Sequence, residues 1–249
     1  MLVDVNGDGP FDYVYVSGAG SKTNIRIVDG RTGTDLVSNF QPYEEGFTGG
    51  MFVDVGDFNG DGRDEIVISP DNGGSARVQV FSFDGTSLVR QANFFGIDDP
   101  NFRGGGSIAI SDVNGDGTPD LVVGAAKGGS QRIATFDGKQ LFGRHSFEGQ
   151  LFNDYFAPLQ GVDPTTYRGG VALRSQDVNG DGKDDIVMFP AVAEGVNPVG
   201  GIVVFHGSAS GPTLRFQSML GTNSTPLTPF GSEFEFNRDT RAMRELSVV

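Results

Sequence analysis

Four copies of one acidic loop supply the side chains that could do chemistry. "DVNGDG" occupies residues 4–9, 112–117 and 177–182, and "DFNGDG" occupies residues 57–62. Counted from its first Asp, each loop has oxygen-bearing side chains at positions 1, 3, 5 and 9, and a backbone carbonyl is available at position 7. Hard, all-oxygen donors on a flexible loop favour Ca²⁺ over Mg²⁺, which demands tighter octahedral geometry. The predicted ligands are Asp4, Asn6, Asp8, Pro10 and Asp12; Asp57, Asn59, Asp61, Arg63 and Glu65; Asp112, Asn114, Asp116, Thr118 and Asp120; and Asp177, Asn179, Asp181, Lys183 and Asp185.

Position 12 of each loop separates these loops from EF-hands. An EF-hand needs a bidentate Glu there and helices on both sides. The residues found are Tyr15, Ile68, Val123 and Met188, each within an apolar, strand-like run. The sequence therefore predicts a calcium loop between two β-strands, with up to four Ca²⁺ per chain. Glu65, at position 9 of the second loop, is longer than Asp and is expected to shift or weaken that site.

An ordinary turn is the competing interpretation of each single loop. Asp, Asn and Gly are the commonest turn residues, so one "NGDG" could be a plain hairpin. Four copies that all keep an acid at position 9 favour metal binding instead. Nearly half of the 32 acidic residues lie in these loops. Without a cation, their carboxylates would repel one another.

Composition excludes several classes of protein. The formal net charge of −14 over 249 residues argues against nucleic-acid binding, which requires a basic surface. No apolar run is long enough to span a membrane, and no signal-peptide pattern is present at residue 1. Cysteine is absent, so disulfides and thiolate metal sites are excluded. Bound calcium is expected to provide the cross-links that disulfides would otherwise provide.

The loops mark an internal repeat of four short strands. The first Asp falls at residues 4, 57, 112 and 177, and a Gly-Gly pair begins 8 residues before the last three of these positions. Each repeat reads as strand A, acidic loop, an apolar strand B, a glycine-rich turn, then strands C and D. Strand B should be buried on both faces, and strand C more exposed on one. Units of this kind are typical of the blades of a β-propeller, with a stacked solenoid as the rival arrangement.

One all-β domain over residues 1–249 is therefore predicted, with four-stranded antiparallel blades. The repeats cover about 1–46, 47–101, 102–166 and 167–220. Residues 221–249 lack an acidic loop and form either a tail or a strand, such as "ELSVV", that completes the first blade and closes the ring. Insertions at 148–166 and 190–199 break the repeat and are candidates for a ligand surface.

The chain resembles FG-GAP/VCBS repeat proteins, the blades of integrin α-subunit propellers. The resemblance lies in "DVNGDGPFD", "DFNGDGRDE", "DVNGDGTPD" and "DVNGDGKDD", and in "VSGAGS" and "VVGAAKGG", which are similar to the family's GAP segment. It implies calcium between strands A and B and an extracellular or cell-surface location. Such propellers commonly have seven blades and four are found here, so a complete small propeller, part of a larger one and closure by oligomerisation all stay open.

The motifs for catalysis are incomplete. "GAGSKT" at 18–23 lacks the full phosphate-loop pattern, and no G-x-S-x-G is present. The predicted function is a non-catalytic, calcium-binding adhesion, binding or scaffold module with a protein or glycan ligand at its loop face. The alternative is a carbohydrate-active protein, either a lectin or the propeller portion of a polysaccharide-degrading enzyme.

Overall fold

The computed structural model describes residues 1–145, 151–156, 166–191, 202–218, 233–237 and 242–246. Within these ranges the chain forms strands and one short 3₁₀ helix, Gly138–Gln140. None of the helical structure found there is long and apolar enough to cross a membrane. The strands are β1 (Leu2–Val3), β2 (Asp12–Val16), β3 (Ile25–Val28), β4 (Asp35–Phe40), β5 (Met51–Gly56), β6 (Glu65–Pro70), β7 (Arg77–Phe83), β8 (Leu88–Phe95), β9 (Gly106–Ser111), β10 (Asp120–Ala125), β11 (Arg132–Phe136), β12 (Leu151–Phe156), β13 (Val171–Gln176), β14 (Asp185–Pro190), β15 (Ile202–His206), β16 (Thr213–Ser218), β17 (Glu233–Asn237) and β18 (Ala242–Leu246).

Strands β1 to β16 form four antiparallel sheets of four consecutive strands each, which we call blades 1 to 4. The order within every blade is A–B–C–D along the chain, as the repeat predicts. Each acidic loop joins strands A and B, and Tyr15, Ile68, Val123 and Met188 all lie inside strand B. The prediction of a β-strand setting in place of an EF-hand is confirmed.

The larger clusters of buried side chains each span two neighbouring blades, and a small one lies within blade 4. Side chains that alternate along a strand point to opposite faces of its sheet. In β10, Leu121 and Val123 therefore pack with blade 2, whereas Val122 packs with Val171 and Leu173 of blade 4. The rings of Phe94 and Phe136 meet edge to face across the junction of blades 2 and 3, with centroids 5.0 Å apart. A blade thus depends on packing against its neighbours to bury most of its apolar side chains.

Glycines close the junctions at the end of the blades opposite the acidic loops. In blades 1 to 3 the B–C turn donates a backbone hydrogen bond to the segment around the next blade's Gly-Gly pair, for example from Gly73 N to Arg103 O at 3.0 Å and from Gly128 N to Arg168 O at 3.0 Å. Gly105 has φ +79°, and a Cβ added there would overlap the backbone carbonyl of Pro70. We call these contacts the glycine junctions.

Three expectations about the strands need correction. Strand B is buried on both faces in β6 and β10, but β2 exposes Tyr13 and Tyr15. Strand C is exposed on one face in β3, as expected, but β7, β11 and β15 are mostly buried; neighbouring blades cover both faces of β7 and β11. The segment 148–166 is not wholly an insertion, since it contains β12, the D strand of blade 3.

The strand that completes blade 1 is β1, which pairs with β2. In the described residues the C-terminal strands β17 and β18 pair with each other in a separate two-stranded sheet, and β18 is not part of blade 1. The outer face of blade 1 carries exposed apolar side chains: Leu2 is 57% exposed, Phe11 61% and Tyr15 53%. The corresponding faces of blades 2 and 3 are covered by the preceding blade.

Candidate metal-binding loops

The first Asp of each acidic loop gathers the backbone N–H groups of its own loop. In the third loop, Asp112 Oδ1 accepts from Gly115 N at 2.7 Å and from Asp116 N at 3.0 Å, and Asp112 Oδ2 accepts from Gly117 N at 2.7 Å. Asn114 Oδ1 accepts from Asp116 N at 2.8 Å. Gly115 and Gly117 have φ of +75° and +85°, which side chains other than Gly rarely adopt. The loop therefore makes a sharp turn that depends on these two glycines.

The position-9 acid has a second role that sequence reasoning missed. Asp120 is fully buried, and its Oδ2 accepts from Val113 N at 3.2 Å while its Oδ1 accepts from Gly138 N at 3.0 Å. It therefore ties the acidic loop to the turn between strands C and D. Asp12 and Asp185 make the equivalent pairs of bonds.

The sequence signal for this anchor is the glycine near the start of the C–D turn in blades 1, 3 and 4. Gly30, Gly138 and Gly207 supply the N–H groups, and a Cβ added at Gly138 would overlap the carbonyl oxygen of Pro119. Glu65 behaves differently: its Oε2 accepts from Phe58 N at 2.9 Å and its Oε1 from Asn59 Nδ2 at 3.0 Å. The longer side chain thus stays within its own loop.

Burial makes the position-9 carboxylates of loops 2 and 3 costly to ionise. Burial raises the pKa of Glu65 to about 7, and the neighbouring Asp57 and Asp61 add to the shift against the hydrogen bond from Phe58 N. Burial likewise raises the pKa of Asp120 to about 7, opposed by the bond from Gly138 N. A bound cation favours the charged form of a carboxylate, so it would relieve this cost.

The position-5 carboxylates differ between loops for a reason that lies at position 7. In the second, third and fourth loops the position-7 N–H donates to the position-5 carboxylate, for example Thr118 N to Asp116 Oδ1 at 2.9 Å. In the first loop position 7 is Pro10, which has no N–H to donate. Asp8 Oδ1 is buried there without a hydrogen-bond partner. A buried acceptor left without a donor is an oxygen with a lone pair free for a cation.

The donor chemistry fits an oxygen-binding divalent cation, but the side chains are not gathered around one point. Within the described ranges no three acidic or histidine side chains cluster closely enough to hold a metal ion. Two features of the loops account for this. The position-9 carboxylates accept hydrogen bonds from backbone N–H groups, and two position-5 carboxylates form ion pairs with basic residues. Asp8 Oδ2 is 3.0 Å from Arg31 Nε, and Asp116 Oδ2 is 2.8 Å from Lys139 Nζ.

A cavity of about 360 Å³ opens near the glycine junction of blades 3 and 4. Its lining includes Phe102, Phe156, Arg132 and Arg168. Arg132 is held by a two-pronged ion pair with Asp154, at 2.9 and 2.7 Å, and Phe156 is 59% exposed. The predicted ligand loops at 148–166 and 190–199 lie largely outside the described residues, and Phe156 is the residue of these segments that lines the cavity.

A second cavity, of about 690 Å³, lies among the A strands β5, β9 and β13. Asp54 Oδ2 accepts from Ile110 N at 3.0 Å and so links β5 to β9. Burial raises the pKa of Asp54, against the hydrogen bonds that it accepts and the nearby Arg174. This carboxylate is an inter-blade tie in the wall of the cavity.

Comparisons with known proteins agree with the repeat architecture. Residues 57–123 and 112–188 match the model of the FG-GAP-like repeat. Phosphatidylinositol-glycan-specific phospholipase D of Bos taurus is 35% identical over 116 residues, 47% of this chain and 14% of that protein. Integrin alpha pat-2 of Caenorhabditis elegans is 28% identical over 224 residues, 84% of this chain and 18% of that protein.

The structural comparison supports the fold alone. The exotype rhamnogalacturonan lyase YesX superposes with a TM-score of 0.51 at 14% identity, over 88% of this chain and 46% of that one. The chain spans less than a fifth of the length of the integrin and phospholipase relatives named above. Together the four-bladed sheet pattern, the acidic A–B loops and the matched repeats give one conclusion: the chain belongs to the FG-GAP-like repeat family.

Proposed function

We propose that the protein is a non-catalytic, extracellular binding or adhesion module that is stabilised by up to four Ca²⁺ ions in its A–B loops. The observation that carries the proposal is the burial of the position-9 acids: Asp12, Asp120 and Asp185 are 0% exposed and Glu65 1%. Each of these four buried carboxylates stands in a loop with two or three further aspartates, so ionising all of them is costly unless positive charge is nearby. Ca²⁺ would supply that charge.

The groups that would hold the ion are the oxygens at positions 1, 3, 5, 7 and 9 of each loop. Position 1 orders the loop backbone, and in loops 1, 3 and 4 position 9 fixes the loop to the C–D turn, so both would act before any ion arrives. A ligand that binds only the folded state stabilises it by RT ln(1 + [L]/Kd). At the millimolar calcium of extracellular fluid, weak sites of this kind would be filled.

Calcium removal tests the proposal. We expect a chelator to lower the thermal midpoint clearly and added Ca²⁺ to restore it, while Mg²⁺ at the same concentration restores less. Asp112→Ala should remove about one Ca²⁺ per chain in metal analysis. An unchanged midpoint would refute the structural role of calcium, and unchanged stoichiometry would refute the assignment of Asp112.

A carbohydrate ligand is the second candidate, favoured by the cavity of about 360 Å³. An exposed aromatic ring such as Phe156 offers a face for a sugar ring, and a guanidinium such as that of Arg168 binds carboxylates in a fork geometry. Acidic oligosaccharides would suit this pair. Glycan-array binding that Phe156→Ala abolishes would support a lectin, and turnover of an acidic polysaccharide would support an enzyme. Binding only to proteins would leave the adhesion module.

We propose that the outer face of blade 1 is covered by another blade of the same kind, from a longer chain or a second copy. The support is an exposed apolar surface on blade 1, made by Leu2, Phe11, Tyr13 and Tyr15. The strand B residues that correspond to the two tyrosines in the other blades are buried. Sedimentation of the 249-residue chain tests the second-copy form. We expect association that Tyr13→Ser and Tyr15→Ser together reduce; a monomer at all concentrations would favour the longer chain.

A further inference from the structure

We infer that the four acidic loops are coupled in two pairs, loop 1 with loop 2 and loop 3 with loop 4, through an aspartate at position 8. The residue at that position is Phe11 in loop 1, Asp64 in loop 2, Pro119 in loop 3 and Asp184 in loop 4. It is not among the proposed ligands. This inference rests on the proposed calcium sites and adds which of them communicate.

The geometry at loops 1 and 2 is reciprocal. Asp64 N donates to Asp4 O at 3.0 Å, and Asp4 N donates back to Asp64 Oδ2 at 3.1 Å. Both backbone polar groups of the first residue in loop 1 are thus held by one residue of loop 2. Asp64 in turn lies between Arg63 and Glu65, which provide positions 7 and 9 of its own loop.

Loops 3 and 4 share the backbone part of this arrangement. Asp184 N donates to Asp112 O at 3.0 Å, and the backbone of Asp112 lies near the Asp184 carboxylate, where it opposes the rise in pKa that burial causes. The position-7 side chain adds a second contact in both pairs. A Cβ added at Gly7 would lie 3.0 Å from Arg63 Nε, and one added at Gly115 would lie 2.9 Å from Lys183 Cγ.

Loops 2 and 3 cannot make the same link. Position 8 of loop 3 is Pro119, which has neither a backbone N–H to donate nor a carboxylate to accept. Pro119 instead packs on the backbone of blade 2, where a Cβ added at Gly56 would lie 3.0 Å from its Cγ. Blades 2 and 3 therefore meet through apolar contact at a point where the position-8 aspartate of the other two junctions donates a backbone hydrogen bond to the neighbouring loop.

The link predicts the direction of coupling. When an ion fixes loop 2, Asp64 is fixed with it, and Asp64 then holds the backbone of Asp4 in the position that loop 1 needs. Filling one loop of a pair should therefore raise the affinity of the other, and linkage makes the effect reciprocal. The hydrogen bonds that the position-8 aspartate makes with its backbone N–H and its carboxylate are a physical path for such coupling.

Calcium titration of the full chain, followed by ¹H–¹⁵N NMR, tests this loop by loop. The position-6 glycine N–H donates to the first Asp of each loop, so Gly9, Gly62, Gly117 and Gly182 report the four sites separately. Asp116→Asn weakens loop 3, whose neighbours are loop 4, which is linked, and loop 2, which is not. We expect the apparent Kd of loop 4 to rise roughly fivefold or more and that of loop 2 to stay within about twofold.

The second variant leaves every proposed ligand in place. Asp184→Ala should make loop 4 insensitive to Asp116→Asn, and Asp64→Ala should uncouple loops 1 and 2 in the same way. Equal shifts at loops 2 and 4, or coupling that survives Asp184→Ala, would overturn the inference while leaving the calcium sites intact. If no loop of the unaltered protein responds to Ca²⁺, the inference and the proposed function both fail.

Discussion

The two ends of the blades join their neighbours by different means. At the glycine junctions all three contacts use backbone atoms, with Gly20, Gly73 and Gly128 donating to the next blade. At the acidic end the contact combines a backbone hydrogen bond with the carboxylate of an aspartate at position 8. It depends on the residue at that position, so it is present at two junctions and replaced by a proline contact at the third. A backbone contact is the same in every repeat, whereas a side-chain contact can be changed one junction at a time. The glycine end therefore holds the first three junctions together in the same way. The acidic end can make one junction different from the next.

The largest effect is expected at a glycine junction. Gly105→Ala forces a side chain onto a residue with φ +79° and against the carbonyl of Pro70, and should lower the free energy of unfolding by about 3 kcal/mol or more. The matched control is Gly128→Ala, with φ +86° and open space around the added Cβ. It should cost only about 1–2 kcal/mol. Equal losses in urea denaturation with calcium present would show that the junction is not held by close approach.

The next effect compares two acids of loop 3. Asp120 anchors the loop to the C–D turn, and Asp116 is proposed only as a calcium ligand. Asp120→Ala removes the acceptor of two buried N–H groups, so we expect a loss of about 3 kcal/mol even without calcium. Asp116→Ala removes an outlying carboxylate and should change the calcium-free stability by less than about 1 kcal/mol. Both variants should lose one Ca²⁺ in metal analysis. If the calcium-free proteins are equally stable, position 9 is only a ligand.

A pH series in the chelated protein tests whether the buried carboxylates of the acidic end make the stability of the protein depend on pH. Glu65 and Asp120 have pKa values raised to about 7 in the folded state, from 4.5 and 3.8. The folded protein therefore holds more protons than the unfolded chain between these values, and their contribution to stability is lost as the pH rises towards 7. We expect the thermal midpoint of chelated protein to fall from pH 5 to pH 7.5. Saturating Ca²⁺ should flatten or reverse that slope, and a slope unaffected by calcium would contradict the loops as its source.

The sequence was sufficient to predict the repeat, the strand order and the turn geometry of the loops, because these depend on local spacing. Each Asp-x-Asn-Gly-Asp-Gly forms its turn from its own residues, as the bonds around Asp112 show. The roles of Asp64 and Asp184 could not be predicted, since their partners Asp4 and Asp112 belong to other repeats and become neighbours only when blades pack. The burial of strand C was missed for the same reason.

The position-9 anchor shows a further limit of sequence reasoning. Its ligand-like spacing was read as coordination alone, whereas Asp120 also accepts from Gly138 in a turn 18 residues away. The Asp-Gly and His-Gly dipeptides at the C–D turns were visible, but a pattern of glycines does not say which acceptor their N–H groups meet. Only the packed blade brings donor and acceptor together.

The smallest effect concerns the basic residues on the position-5 acids. Lys139 Nζ, 2.8 Å from Asp116 Oδ2, competes with a cation for that carboxylate, so Lys139→Ala should tighten calcium binding at loop 3 by roughly twofold. Asp61 of loop 2 has no lysine or arginine ion pair among the described residues, so the Kd reported by Gly62 is the internal control. Because exposed charges are screened by salt, the gain should shrink in about 0.5 M KCl. A gain that persists at high salt would mean that Lys139 acts by packing on the loop, and the acidic end would then be differentiated by shape as well as by charge.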